Sequence, residues 1–164
     1  MNQTHLHLLL NHVAIMAALF SIVIFFYGSI IRNKSITNLA LIGFVFAALT
    51  AIPVYLTGEP AEESIEHIAG VTEESIHEHE ESAEVSIWLI ELSGAIAFTA
   101  LVLKNAKFFS TAAFALIMTL ISLCSGLSIS YTGYLGGFIR HPEISSTEKL
   151  QNSQSEQAGE EDGD

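Results

Sequence analysis

His77, Glu84 and Glu91 recur at steps of seven within TEESIHEHEESAEVSIWLIELSG, residues 72–94. A step of seven returns to the same side of an α-helix, and steps of three or four stay near it. Glu73 and Glu80 therefore join the same stripe. Glu74 stands three residues before His77, the Glu-x-x-His spacing of carboxylate-bridged metal sites in helical bundles. In a segment this rich in glutamate the same spacing also arises by chance. His5 and His12 are seven apart near the N-terminus, and His7 lies between them. Carboxylates and neutral imidazoles offer a cation negative charge and lone pairs together. The candidate ligand set is His12, His77, Glu84 and Glu91, with His5, His7, Glu74, Glu80 and His141 as further metal or haem ligands. Imidazole mixed with carboxylate suits non-haem Fe, Zn or Mn better than Cu(I). Haem b would need axial imidazoles from facing helices around an apolar slot, and His12 with His77 is the best such pair.

The elements that must position these residues are membrane helices. The chain has 164 residues, half of them hydrophobic, 15% charged, with a mean hydropathy of +0.46, which is membrane-like in composition. A transmembrane helix needs about 20 mostly apolar residues. Four stretches qualify, at 8–31, 36–58, 85–103 and 109–137. The first lacks the basic leader of a signal peptide, and its apolar core is too long for one. The expected fold is all-α: a four-helix up-down membrane bundle over residues 1–142. A partly helical acidic loop, 59–84, joins helices 2 and 3. The segment 143–164 is too polar and acidic to bury a core and reads as a disordered tail.

The net charge of −12 is unevenly spread. Residues 1–58 and 92–142 contain no Asp or Glu. The short connections RNKS (32–35) and KNAK (104–107) carry Arg32, Lys34, Lys104 and Lys107, which is four of the six basic residues. The positive-inside rule puts both connections in the cytoplasm. The N-terminus, the acidic loop and the C-terminus then lie outside, in a bacterial inner membrane. All seven histidines collect at that outer face, beside the glycines and hydroxyls of SGLSISYTGYLGG. His12 and Glu91 each fall a few residues inside a span, roughly 6–10 Å below the boundary at 1.5 Å per residue. They are expected to meet across the bundle, with His77 and Glu84 above them. An unpaired ionisable group at that depth costs about 2.5–3.5 kcal/mol, so such a residue normally faces the bundle interior and a partner.

Plainer readings stand beside these. Glu91 reads also as a structural carboxyl hydrogen-bonded to Ser128 or Tyr131, and His12 as a polar plug at the helix mouth. His67 and His79 read as solvated loop residues, and the other loop glutamates as a solvated anionic face. Trp88, Tyr27, Tyr55, Tyr131 and Tyr134 lie near span ends, where interfacial anchoring accounts for them. Pro53 reads as a kink near the outer end of helix 2. Cys124, the only cysteine, reads as a small buried filler, and a single cysteine excludes an internal disulfide.

HLLLNHVAI (7–15) and GYLGGFIRH (133–141) carry a resemblance. The first is similar to the opening H-P-x-x-V-H-F-P-I pattern of the bacterial membrane family catalogued as domain of unknown function 2231. His7 and His12 fall on its two histidines, Leu8 and Ala14 replace its prolines, and Asn11 replaces its Val. The second resembles that family's closing G-Y-L-G-G segment with a histidine, here His141, a few residues on. TGEP (57–60) lies where the family often has a Gly after its second span. The resemblance covers roughly residues 5–142. It implies a four-helix membrane protein of unassigned function, some of whose relatives look associated with redox proteins, which brings haem into view.

No nucleophile motif, phosphate-binding loop or dinucleotide fingerprint is present, which argues against an enzyme. The absence of a basic patch argues against a nucleic-acid partner. Three functional classes remain. The first is a membrane protein with an outward-facing His/Glu site for a metal ion or haem, serving electron transfer. The second is a proton or cation entry site, although the inner helix halves lack an ionisable relay. The third is a non-catalytic accessory subunit whose acidic outer cap meets a basic or redox protein partner. The lipid bilayer is the surrounding partner in each case, and a homo-oligomer is compatible with all three.

Overall fold

The computed structural model describes residues 3–62, 71–103, 106–107 and 111–141. His67 and the 143–164 tail, read above as a solvated residue and as disordered, lie outside the described residues. Four helices make up the fold: α1 (Gln3–Ile30), α2 (Lys34–Glu62), α3 (Glu73–Val102) and α4 (Ala112–Arg140). Each packs on its sequence neighbour, and α4 closes on α1 through a thinner seam. The expected all-α four-helix bundle is the fold. Each helix has 28–30 residues, or about 42–45 Å at 1.5 Å per residue, against a hydrocarbon core of about 30 Å. All four are long and apolar enough to cross a membrane.

The packing is inverted relative to a soluble bundle. The interior is built from small residues: Ala14, Ala18, Ala47, Ala51 and Ala97 are almost fully buried. Large apolar side chains point outward, with Phe20 58%, Val23 65% and Leu127 71% exposed. In water that surface would drive aggregation; in lipid it is the solvated face. Small residues let the backbones approach closely. A Cβ on Gly43 would collide with Ser21, and one on Gly94 with Ala48 and the Phe44 carbonyl. Phe25 and Phe44 fill the wider part of the α1–α2 seam edge to face, with ring centroids 6.2 Å apart. Cys124 is a correction: it is exposed on the outer side of α4, because the inward stripe of that helix runs through Met118, Ser122, Ser125 and Ile129.

Hydroxyls join α3 to α4. Ser86 bonds Ser128 at 2.7 Å and Thr132 at 2.8 Å, Ser82 bonds Thr132 at 2.7 Å, and Ser93 reaches Ser125 at 3.2 Å. At the opposite end, α1 and α2 meet in a tight turn. The Asn33 N–H bonds the Gly28 carbonyl and the Arg32 N–H the Ser29 carbonyl. This Schellman closure puts Arg32 at φ 53°, in the left-handed region. The Asn33 side chain then caps α2 by accepting from the N–H groups of Ser35 and Ile36.

The helix boundaries differ from the expected ones at the acidic end. α2 runs on to Glu62 with Pro53 and Pro60 inside it. α3 starts at Glu73, where Thr72 and Ser75 form a reciprocal capping box and Glu73 and Glu74 occupy the favourable first turn. The stretch 73–84, expected as part of a loop, therefore forms the first three turns of α3. This rigid extension carries the carboxylates and histidines above the apolar part of the bundle.

The seams generate a testable contrast. Gly94→Val should lower the unfolding free energy in detergent by about 1–3 kcal/mol, since its side chain has no room against α2. Gly126→Ala should cost less, because its Cβ meets only the flexible end of Ile22, at 3.2 Å. Equal stability of the two variants would contradict the close-packed seam.

Candidate functional site

At the end of the bundle where α1 and α3 begin and α2 and α4 finish, the helices line an open cavity of about 500 Å³. Its charged and titratable lining comprises His7 from α1, Tyr55, Glu59 and Glu62 from α2, and His79, Glu80 and Glu84 from α3, of which Tyr55, Glu59, Glu80 and Glu84 are exposed. Ile15, Val54, Ile87 and Ile129 supply an apolar floor, and Thr132 and Gly133 of α4 complete the wall. No Lys or Arg is among the described lining residues.

Both imidazoles are oriented by hydrogen bonds through Nδ1. His79 Nδ1 lies 3.1 Å from the Thr132 carbonyl oxygen of α4. A carbonyl only accepts, so His79 carries its proton on Nδ1 and leaves Nε2 with a lone pair. His7 Nδ1 lies 3.1 Å from Thr57 Oγ1 of α2. The Thr57 hydroxyl proton is already directed at the carbonyls of Pro53, 2.8 Å away, and Val54, 3.1 Å away. With that proton on either carbonyl, Thr57 accepts from His7 Nδ1–H, and the assigned tautomer of His7 keeps its lone pair on Nε2. The two rings lie within electrostatic reach of each other. His79 fits against α4 because Gly136 is there: a Cβ at that position would stand 3.1 Å from the ring's Cε1 and 3.4 Å from Nδ1.

Glu80 and Glu84 line the cavity together, and His7 joins them. The proposed quartet of His12, His77, Glu84 and Glu91 does not assemble there. His12 is exposed, and its Nδ1 bonds the carbonyl of Leu8 one turn back at 2.6 Å. The inward stripe of α1 is His7, Asn11, Ala14, Ala18, Ser21; His12 sits one residue, about 100°, away from it. His77 is exposed and faces the carboxylates of Glu80, at 3.9 Å, and Glu81, at 3.3 Å, on its own helix. Such solvated pairs contribute little. His5 and Glu74 are exposed as well. His141 is exposed and follows the last turn of α4, with its N–H on the Gly137 carbonyl. The expected meeting of His12 with Glu91 is thus corrected: neither lines the cavity.

Glu91 lies two helical turns beyond Glu84 on the same side of α3. Its Oε1 is buried and has no hydrogen-bond partner. Ser128, one of the two partners considered above, bonds Ser86 instead, and Tyr131 stacks on Tyr134 with centroids 6.4 Å apart. Among the described residues no three His, Cys, Asp or Glu side chains converge as a group able to hold a metal ion.

His79, Glu59 and Glu62 are the lining residues that sequence reasoning missed. The solvated reading of His79 is corrected by its half-buried position on the stripe Ile76, His79, Ala83, Ser86, Ile90. That spacing was a usable signal, because a histidine in phase with small and apolar residues faces inward. For Glu59 and Glu62 the signal was weaker, since two prolines in α2 argued against a continuous helix through them.

Two glycines of α4 separate the roles in this wall. Gly136→Leu should displace the His79 ring, break its bond to Thr132 and lower stability by about 1–2 kcal/mol. Gly137→Ala, whose Cβ has nothing within 4 Å, should be neutral or stabilising by up to about 1 kcal/mol from helix propensity. Thermal unfolding in detergent reads both, and a tolerated Gly136→Leu would contradict the seating of His79. No family model, no curated protein and no solved structure matches this chain.

Proposed function

We propose that this multi-pass membrane protein binds a cation in the acid-lined cavity at its histidine end. The carrying observation is the lining: the carboxylates of Glu59, Glu62, Glu80 and Glu84 and the imidazoles of His7 and His79, with no Lys or Arg among the described lining residues. Helix walls of low dielectric focus such a charge pattern and raise the local cation concentration. The positive-inside argument puts this end on the outer face, since Arg32 and Lys34 occupy the turn at the other end. The His-x₄-His and G-Y-L-G-G resemblances agree with a four-helix membrane protein; His7 and Gly133 of those segments belong to the cavity wall, and Gly136 seats the His79 ring.

Haem is the weaker occupant. Its propionates are anionic, and the glutamates of the lining oppose them, so the electron-transfer reading loses its main support. A metal ion needs a carboxylate to swing toward the imidazoles, because no three ligands stand together among the described residues. The accessory-subunit reading requires no ligand and is the outcome if none binds.

Calorimetric titration of the protein in lipid nanodiscs with Zn²⁺ and with methylammonium tests the proposal. Saturable binding of at least one is expected. The double substitution Glu80→Gln and Glu84→Gln should weaken it by about tenfold or more, the factor equivalent to 1.4 kcal/mol. Lowering the pH should weaken it too, because a protonated imidazole has no lone pair and repels a cation. No saturable binding, or binding indifferent to both changes, would overturn the reading.

A further inference from the structure

The cavity is much larger than an inorganic ion needs. A water molecule's share of liquid volume is about 30 Å³, whereas this open cavity measures about 500 Å³, within the range of small-molecule pockets. Its inner part is apolar, with Ile15, Val54, Ile87 and Ile129 as the floor. Most of its polar groups are acceptors, with the Asn11 amide and the Tyr55 hydroxyl as the side-chain donors. Both imidazoles spend their one proton on Nδ1 and turn an acceptor toward whatever enters. The Thr132 hydroxyl gives its proton to the Ser128 carbonyl at 3.0 Å. Pro60 has no N–H, so the Leu56 carbonyl, also in the lining, forfeits its helical donor. Carboxylates at Glu59, Glu62, Glu80 and Glu84 add acceptors with negative charge.

A ligand matching that wall is positively charged, rich in N–H donors and partly hydrocarbon. We infer that the cavity takes an organic ammonium ion carrying an alkyl chain, with the ammonium among the carboxylates and Nε2 atoms and the chain on the isoleucine and valine floor. The inference rests on the cation-binding reading and narrows it to a chemical class. It also accounts for the missing metal geometry: an ammonium group accepts several loosely arranged acceptors, whereas Zn²⁺ demands three or four at fixed short distances. Gly133, in the wall one turn beyond Ile129, has no side chain to take up the chain's room.

The test compares hexylammonium, hexanol, methylammonium and Zn²⁺ on the same nanodisc-embedded protein by calorimetry. Hexylammonium should bind at least tenfold more tightly than methylammonium, and hexanol should not saturate. Empty nanodiscs run in parallel supply the membrane-partition background to subtract. Gly133→Leu adds a large side chain to the cavity wall. It should cost hexylammonium about tenfold in affinity and methylammonium less. His79→Gln should weaken both amines. Tighter binding of Zn²⁺ with no preference for the alkyl chain would overturn the inference while leaving the cation reading standing. Absence of saturable binding by all four probes would overturn both.

Discussion

Lipid tails are as apolar as leucine, so no hydrophobic drive holds one membrane helix against another. What holds these four together is closeness of backbone, and closeness depends on the small residues lining the interior. Gly43 against Ser21, Gly94 against Ala48 and the alanines at 14, 18, 47 and 51 set the spacing of α1, α2 and α3. The α3–α4 seam adds hydroxyl bonds from Ser82, Ser86 and Ser93. Each donor there is satisfied within the protein, as the absence of water in the hydrocarbon region demands.

The same rule forms the cavity. Where small residues end, the helices carry His7, Asn11, Glu62 and His79 at partly buried positions facing the cavity. These side chains are too long to let the backbones meet, and the bundle opens around them. The capping box at Thr72 starts α3 early enough to hold His79, Glu80 and Glu84 on a rigid helix. A loop there would have left the same charges solvated and unplaced. Cross-helix bonds from His7 to α2 and from His79 to α4 then fix which nitrogen of each ring faces the space.

Span number, span position and the segregation of histidines to one end were legible in the sequence, because hydropathy and charge report them directly. The facing of individual residues was not. Steps of seven from Glu91 led to His77 and Glu84, yet the inward stripe of α3 is marked by Ser86, Ser93, Gly94 and Ala97. In a membrane bundle small residues, not large apolar ones, indicate the inside. Read that way, Ala14 and Ala18 point back to His7 and Asn11, and leave His12 outside. Glu59 and Glu62 lay beyond such reasoning, since Pro53 and Pro60 signal a break that the helix absorbs. Glu91 was correctly singled out as a carboxyl in an apolar span. Its orphan buried oxygen has no account in the present packing.

The central claim is that the cavity presents acceptors, and it depends on where two imidazole protons sit. Nitrogen-15 NMR of histidine-labelled protein in nanodiscs, assigned with His7→Gln and His79→Gln, reads this directly. At a pH where the rings are neutral, both His7 and His79 should show a protonated Nδ1 and an unprotonated Nε2. Protonation of either ring at Nε2 would put a donor into the cavity and contradict the account.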